Sequence, residues 1–179
     1  MAHFDARSAE CLVFTYKEGL LSAVAHNLKI RVTKFRIEID ESTRAITASF
    51  DAASLRVVSA LSDADVELQG ALTTANKREI EANIVRDVLE SRTYPEIGFV
   101  STGVREKGDA YTVKGTLTLH GTARQISVRV HREDQGYRAE ARIHQPDFGI
   151  RPYRALLGTL KVQADVTVRV TVPGRPAAD

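Results

Sequence analysis

The final third of the chain alternates apolar and polar residues, and this alternation limits the possible folds more than any other feature. The apolar residues of this alternation occupy the even-numbered positions: Leu160, Val162, Ala164, Val166, Val168, Val170 and Val172. Successive side chains of a β-strand point to opposite faces, so this segment has one dry face and one wet face. The same alternation recurs in several earlier segments. Long amphipathic strands with little helix are typical of an antiparallel sheet closed into a barrel.

One segment has a helical period instead. Between Thr74 and Ser91, the apolar residues Ile80, Ile84 and Val88 lie four positions apart. This spacing predicts an amphipathic helix that ends before Tyr94–Pro95, because proline disfavours helical geometry in the residue before it.

The strands before this helix change parity partway along. The second strand, from Leu28 to Asp40, changes near Thr33–Lys34, and the third, starting near Ala45, changes in the same way. One inserted residue, as in a β-bulge, produces such a change and helps to bend a sheet toward closure. Together with a first strand over Cys11–Lys17, these segments give three strands before the helix.

The strands after the helix follow in close succession. Glu96–Glu106 turns into Tyr111–His120, and Gly121–Thr122 predicts a type II′ hairpin that pairs His120 with Ala123. The next hairpin turns over 133–136, and a long irregular connection over 145–159 leads to the last strand. We therefore predict an all-β fold: a single eight-stranded antiparallel barrel with one α-helix between strands 3 and 4. The domain is expected to cover residues 1–173, with a frayed tail over 174–179.

Composition excludes several classes of protein. The 179 residues suit one domain, and 25 basic against 23 acidic residues are too balanced for an overall nucleic-acid binder. The single cysteine, Cys11, excludes an internal disulfide and is expected to be a buried hydrophobe.

No signal peptide and no apolar stretch of about 20 residues is visible, so the sequence as written predicts a soluble, cytoplasmic protein. The oligomeric state is left open, a homodimer among the options.

Motifs for catalysis and metal binding are missing from the sequence. It contains no nucleophile elbow, phosphate-binding loop or paired-carboxylate motif, and its five histidines lack metal-ligand spacing. We therefore expect no enzymatic activity, no catalytic residue and no metal.

Five stretches resemble a known family. They are Tyr94–Ser101 (YPEIGFVS), Tyr111–Val130 (YTVKGTLTLHGTARQISVRV), Asp147–Ile150 (DFGI), Ser22–His26 (SAVAH) and Ser54–Leu55. In their order and spacing the chain resembles the YceI-like family of lipocalin-like proteins. The resemblance implies an eight-stranded barrel that binds a long polyisoprenoid lipid or an isoprenoid quinone inside. Such a lipid would be a ligand, and no cofactor is expected. Many members carry signal peptides and are periplasmic, whereas no signal peptide is visible in this sequence.

Strand parity predicts which apolar side chains point inward. They are Phe14, Leu28, Ile30, Phe35, Ile37, Phe50, Phe99, Leu117, Leu119, Val128, Ala141, Ile143 and Val162. Small residues are also expected to face inward at Ala48, Gly115, Ala139, Ala141 and Ala164, where they would leave room. An eight-stranded barrel either fills with side chains or holds one small ligand. The alternative to a lipid carrier is therefore a packed barrel that serves as a structural or protein-interaction module.

Polar residues are expected at the barrel mouth. The predicted mouth and lid consist of His26, Asn27, His144, Phe148, Arg151, Tyr153 and Arg154. The alternative for each histidine is a structural residue that is bonded to a backbone carbonyl. The alternative for the 145–159 segment is a lid that simply plugs the barrel end. The outward residues Arg129, His131, Arg138, Arg142 and Arg169 allow either transient contact with an anionic membrane or a solvated face balanced by acidic neighbours.

Overall fold

A computed structural model describes residues 1–18, 26–155 and 160–174 of the chain. Nearly all of its regular structure is β. The strands are β1 Ala2–Asp5, β2 Glu10–Thr15, β3 Lys17–Glu18, β4 Asn27–Val32, β5 Phe35–Ile39, β6 Ile46–Asp51, β7 Leu55–Leu61, β8 Glu67–Leu68, β9 Glu96–Lys107, β10 Ala110–Leu119, β11 Thr122–Glu133, β12 Gly136–His144, β13 Arg154–Ala155, β14 Leu160–Val162 and β15 Asp165–Pro173. The α-helix, α1, is Thr74–Asn83.

These strands form two antiparallel sheets. The main sheet has the order β1-β5-β6-β9-β10-β11-β12-β15-β2-β4-β7-β8, and a small sheet has the order β13-β14-β3. From β9 to β12 consecutive strands are neighbours, as expected for a series of hairpins. The predicted all-β class with one short helix is confirmed. In the described residues the main sheet has two edge strands, β1 and β8.

The two parity changes in the early strands mark real breaks. Thr33 and Lys34 separate β4 from β5, and residues 52–54 separate β6 from β7. β4 pairs with β7 while β5 pairs with β6, so two long bent strands lie side by side. Ser54 joins the two bends: its carbonyl accepts from the Thr33 hydroxyl at 2.9 Å, and its Oγ accepts from the Lys34 amide at 3.1 Å.

The helix begins at a capping box and ends earlier than predicted. The Thr73 Oγ1 accepts from the Asn76 amide at 3.1 Å, which satisfies one of the free donors of the first turn. The α-helical part stops at Asn83, and Ile84–Val88 continue as a π-helical turn. The expectation of one regular helix to Ser91 was therefore wrong, because the Leu89 amide bonds five residues back, to the Ile84 carbonyl at 2.8 Å.

The β10–β11 turn also differs from the prediction. Leu119 pairs with Thr122, so His120 and Gly121 form the two-residue turn, with φ angles of 52° and 71°. Positive φ at both positions is typical of a type I′ turn, so the predicted type II′ turn and the His120–Ala123 pair were wrong. The pairing of β10 with β11 is shifted by two residues from the predicted one. Because side chains alternate with period 2, the residues predicted to face inward on these strands still share one face. The next loop is shorter than predicted, because Glu133 already pairs with Gly136.

The connection predicted as irregular over 145–159 contains regular structure. Gln145–Phe148 form a 3-10 helix that ends at Gly149, with φ of 71°. Next, β13 pairs with β14, and β14 with β3, to form the small sheet. The predicted last strand is interrupted at Gln163–Ala164, so β14 and β15 belong to different sheets. Residues 156–159 lie outside the described part of the chain.

Of the three apolar clusters in the described residues, the two larger ones lie on one face of the main sheet. The first contains Cys11, Ile30, Val32, Phe35, Ile37, Leu55 and Val57. The second contains Leu117, Leu119, Ile143, Phe148 and Ile150. Leu89, just after the π-helical turn, packs against both clusters. We call this face of the main sheet the inner face.

Candidate functional site

The inner face carries most of the residues that parity predicted. Ten of them belong to the two clusters or pack against them: Leu28, Ile30, Phe35, Ile37, Phe50, Phe99, Leu117, Leu119, Ala141 and Ile143. Val128 lies opposite the buried Val113 on the same face. The geometry therefore brings these side chains together, although whether they contact a ligand stays a prediction.

Two of the predicted inward residues lie elsewhere. Phe14 packs with Leu12 and Leu61 in a separate small cluster on the other face, and the Arg169 guanidinium sits 4.8 Å from its ring centroid. Cys11 and Val13 take the inner positions of β2, so the assignment of Phe14 was wrong by one residue of parity. Val162 lies outside the main sheet, because it pairs with Lys17 in the small sheet.

Burial is uneven along the inner face. The β4 residue Ile30 is 1% exposed and the β7 residue Val57 is 7% exposed, so this side is densely packed. Three other strands of the same sheet keep their apolar inner side chains only half-buried: Ile126 and Val128 on β11, Ala139 and Ala141 on β12, and Val166, Val168, Val170 and Val172 on β15. We call these eight residues the half-buried wall. It is an apolar surface that the protein's own side chains cover incompletely.

The small inward residues do not all leave room. A Cβ added at Gly115 would lie 2.4 Å from Cζ of Phe99, so the phenyl ring already occupies that space. The expectation that Gly115 opens the interior was therefore wrong. Ala48, Ala139 and Ala141 are half-buried instead. The incompletely covered alanines of the last strands therefore lie on β12, at Ala139 and Ala141.

One end of the inner face is closed by a group of contacts around His120. Its Nε2 lies 2.6 Å from Glu90 Oε2, and its Nδ1 lies 3.3 Å from the Phe148 carbonyl. The Tyr94 ring lies 4.4 Å from the imidazole, centroid to centroid. Phe148 is 2% exposed and packs into the second cluster. Sequence reasoning missed His120 and Glu90, and their one shared structural mark, a positive φ, is invisible in the sequence.

The opposite end carries two tyrosines on the inner parity. The rings of Tyr111 and Tyr137 meet edge to face at 6.2 Å between centroids. Glu106 pairs with Tyr111 across the strands and forms an ion pair with Arg44 at 3.0 Å. The negative charge of Glu106 raises the pKa of the Tyr111 hydroxyl. None of these polar groups was predicted, although the odd parity of both tyrosines was available in the sequence.

The polar residues predicted for the mouth do not converge. His144 is exposed on the outer face, where its Nδ1 lies 2.8 Å from Asp165 Oδ1, so its placement at a mouth was wrong. Arg142 pairs with the same carboxylate, and together the two partners lower the pKa of Asp165. Asn27 is buried and structural: its Oδ1 accepts from the Lys17 amide at 2.9 Å. His26 is half-buried just before β4, and residues 19–25 lie outside the described part of the chain.

The residues predicted for the lid also lie in different parts of the structure. Phe148 covers the end of the inner face, but Arg151 and Arg154 are exposed, and Arg154 lies in the small sheet. The Tyr153 hydroxyl accepts from Nδ2 of Asn83 at 3.0 Å and so ties this segment to the helix end. Among the described residues of the segment, 145–155, those that belong to a core cluster are Phe148 and Ile150.

The outer basic residues divide into paired and unpaired groups. Arg138, Arg142 and Arg169 form ion pairs with Glu133, Asp165 and Glu140. Arg129 and His131 have no ion-pair partner in the part of the chain that the structure describes. The paired residues fit the solvated-face interpretation.

The described residues hold neither a metal-binding cluster nor a membrane-spanning helix. No group of three or more histidine, cysteine, aspartate or glutamate side chains there is arranged to hold a metal ion. No helix within those residues is long and apolar enough to cross a membrane.

The sequence of the chain matches a known family. The model of the YceI-like domain matches residues 6–173. The chain belongs to the YceI-like family. A curated relative, a UPF0312 protein of Pseudomonas savastanoi pv. phaseolicola, is 35% identical over 117 residues, which cover 59% of each protein. A Photorhabdus laumondii UPF0312 protein is 27% identical over 95 residues, 48% of each. This YceI-like chain thus spans less than two thirds of the length of these curated relatives.

Solved structures share the fold at low sequence identity. BcnA of Burkholderia cenocepacia superimposes with a TM-score of 0.65 at 17% identity, over 96% of this chain and 99% of that one. A polyisoprenoid-binding domain from Saccharophagus degradans gives a TM-score of 0.58 at 13% identity, over 98% and 99%. At these identities the likeness establishes the fold of the YceI-like chain.

Proposed function

We propose that this YceI-like protein binds one extended apolar lipid, an isoprenoid chain of a polyprenol or quinone, against its inner face without catalysing a reaction. The observation that carries the proposal is the half-buried wall on β11, β12 and β15. A surface of this kind costs free energy while it contacts water, so it favours an apolar ligand that covers it.

The proposal includes closure of the main sheet into an eight-stranded barrel. β4 and β5 act as one bent strand in it, and β6 and β7 act as the next. The circuit then runs β2, β4–β5, β6–β7, β9, β10, β11, β12 and β15, and returns to β2 through the β15–β2 pairing. Both core clusters and the half-buried wall lie on the inside of this circuit.

A relative supports the choice of ligand class. The Saccharophagus degradans domain with the same fold is described as polyisoprenoid-binding. An isoprenoid chain suits a wall made of valine, isoleucine and alanine, because dispersion and desolvation need no directional partner. The tyrosine end, with Tyr111 and Tyr137, offers hydroxyls to a headgroup. The predicted membrane contact, homodimer and cytoplasmic location stay predictions.

The length of the isoprenoid chain is the variable that tests this proposal. Each 100 Å² of apolar area removed from water contributes about 2.5 kcal/mol before the costs of association. Affinity should therefore rise from geraniol to farnesol to geranylgeraniol, measured by displacement of a fluorescent isoprenoid. At a ligand concentration of 100 times the Kd, thermal unfolding should shift by the equivalent of about 2.7 kcal/mol.

Native mass spectrometry of the purified protein, followed by lipid extraction, identifies any ligand already bound. A protein that carries no lipid and gains no thermal stability with any of the three alcohols contradicts the proposal. That outcome favours the packed barrel, acting through its outer faces as a structural or protein-interaction module.

A further inference from the structure

Two neighbouring strands of the main sheet separate along part of their length. β11 and β12 pair only between Arg129–Glu133 and Gly136–Glu140. Beyond Arg129, residues 122–128 bond to β10, and residues 141–144 bond to β15. No backbone pairing is recorded between these two described segments. We call this stretch the split.

The split opens onto the half-buried wall. Ile126 and Ala141 lie on either side of it, half-buried, and both pack against the second core cluster. On the outer surface Ser127 and Arg142 flank it, and both are exposed. An apolar molecule inside the fold would therefore be separated from solvent here by side chains alone.

A short segment spans one end of the split. The 3-10 helix Gln145–Phe148 follows β12 directly and is anchored on that side, where the Gln145 amide bonds the Ala164 carbonyl at 2.9 Å. Its other end reaches the β10–β11 hairpin. There Nε of Arg124 donates to the Asp147 carbonyl at 3.2 Å, and His120 contacts the Phe148 carbonyl. We call Gln145–Gly149 the strap, because it joins the two strands that the sheet itself leaves unjoined.

We infer that the lipid enters and leaves sideways through the split, and that the strap is the cover of this route. The inference rests on the proposed function. Neighbouring strands elsewhere in the main sheet are joined by backbone hydrogen bonds, which a passing ligand would have to break. At the split no such bonds stand in the way. The His120 end of the inner face is a poorer route, because Phe148 and Leu89 are packed into it.

The register of the paired part supplies a test. Extending the Arg129–Glu140 register by two residues places Ser127 opposite Arg142, so a disulfide between S127C and R142C would join the two strands across the split. The oxidised variant should take up and release dansyl-labelled geranylgeraniol at least about tenfold more slowly than the reduced one. Its equilibrium affinity should stay within about twofold. The matched control is H131C/R138C, which cross-links positions already paired in the sheet and should leave both rates unchanged.

A second variant acts on the strap. R124M removes the hydrogen bond to Asp147 and should speed release of the probe to acceptor vesicles, whereas R129M, an exposed arginine of the same strand, should not. If the S127C/R142C disulfide does not form, the release rates of R124M and R129M test the lateral route by themselves. Binding of the probe with rates that neither the cross-link nor R124M alters overturns the lateral route alone. A wild-type protein that does not bind the probe overturns the proposed function, and the route with it.

Discussion

Gly115 shows how closely a single position of the inner face is fitted. Its missing side chain makes room for the Phe99 ring, and a Cβ would also lie 2.6 Å from the Val100 carbonyl oxygen. G115A should therefore lower the free energy of unfolding by about 1–3 kcal/mol, measured by urea denaturation. G98A on β9 is the matched control, because a Cβ there meets no atom within 4 Å. Equal stability of the two variants would show that both the Phe99 ring and the Val100 carbonyl move aside freely.

Cys11 gives a second test at the same scale. The thiol is 1% exposed, and burial together with the nearby Glu10 charge raises its pKa to about 12. The reactive thiolate is therefore scarce at pH 8. Iodoacetamide should leave the native protein unmodified at that pH and label it within minutes in urea, as followed by intact mass. Rapid labelling of the native protein would mean that the first core cluster opens readily.

Phe14 shows which residues the sequence could not place. The stretch Cys11–Phe14 is apolar at every position, and both faces of β2 are covered, so alternation carries no information about direction there. The same limit applies to His120, whose positive φ is held by contacts from Glu90 and the strap. For His144, parity alone indicated the outer face. Its position at the end of a strand was the weaker guide.

At the scale of elements, the helix completes the hydrogen bonding of an irregular strand. The β4–β7 register shifts at Lys29/Ile30. There Glu81 accepts from the Val57 amide at 2.8 Å, and Lys77 donates to the Val58 carbonyl at 2.7 Å. E81A would leave the Val57 amide without a partner, so the free energy of unfolding should fall by about 1–3 kcal/mol in urea denaturation.

The control for that prediction is E79A, an exposed glutamate of the same helix. It should change stability by less than about 0.5 kcal/mol. E81Q retains an acceptor oxygen and should recover part of the loss. If E81A and E79A proved equally mild, water would be shown to replace the carboxylate at Val57.

The elements that the sequence predicted well are those with long, one-sided patterns. The strands β9 to β12, the helix start and both bends follow from alternation and period, because the strands and the helix each have one more apolar and more covered face. The short strands β1, β8 and β13 were missed, since two to four residues carry too little pattern. The end of the helix was missed because a π-helical turn keeps nearly the same apolar spacing.

At the scale of the whole molecule, the question is whether the inner face encloses free space. Ala141 lies on the half-buried wall opposite Val168, and a tryptophan there would project into that space. We expect A141W to abolish binding of geranylgeraniol while it keeps a cooperative thermal transition close to that of the wild type. The control is R129W on β11, whose side chain is exposed on the outer face and should leave binding intact. In a filled barrel the same A141W indole would overpack the core and lower stability by about 1–3 kcal/mol or more. A destabilised A141W beside a stable R129W would therefore argue against a hollow interior, and with it against the lipid-carrier function.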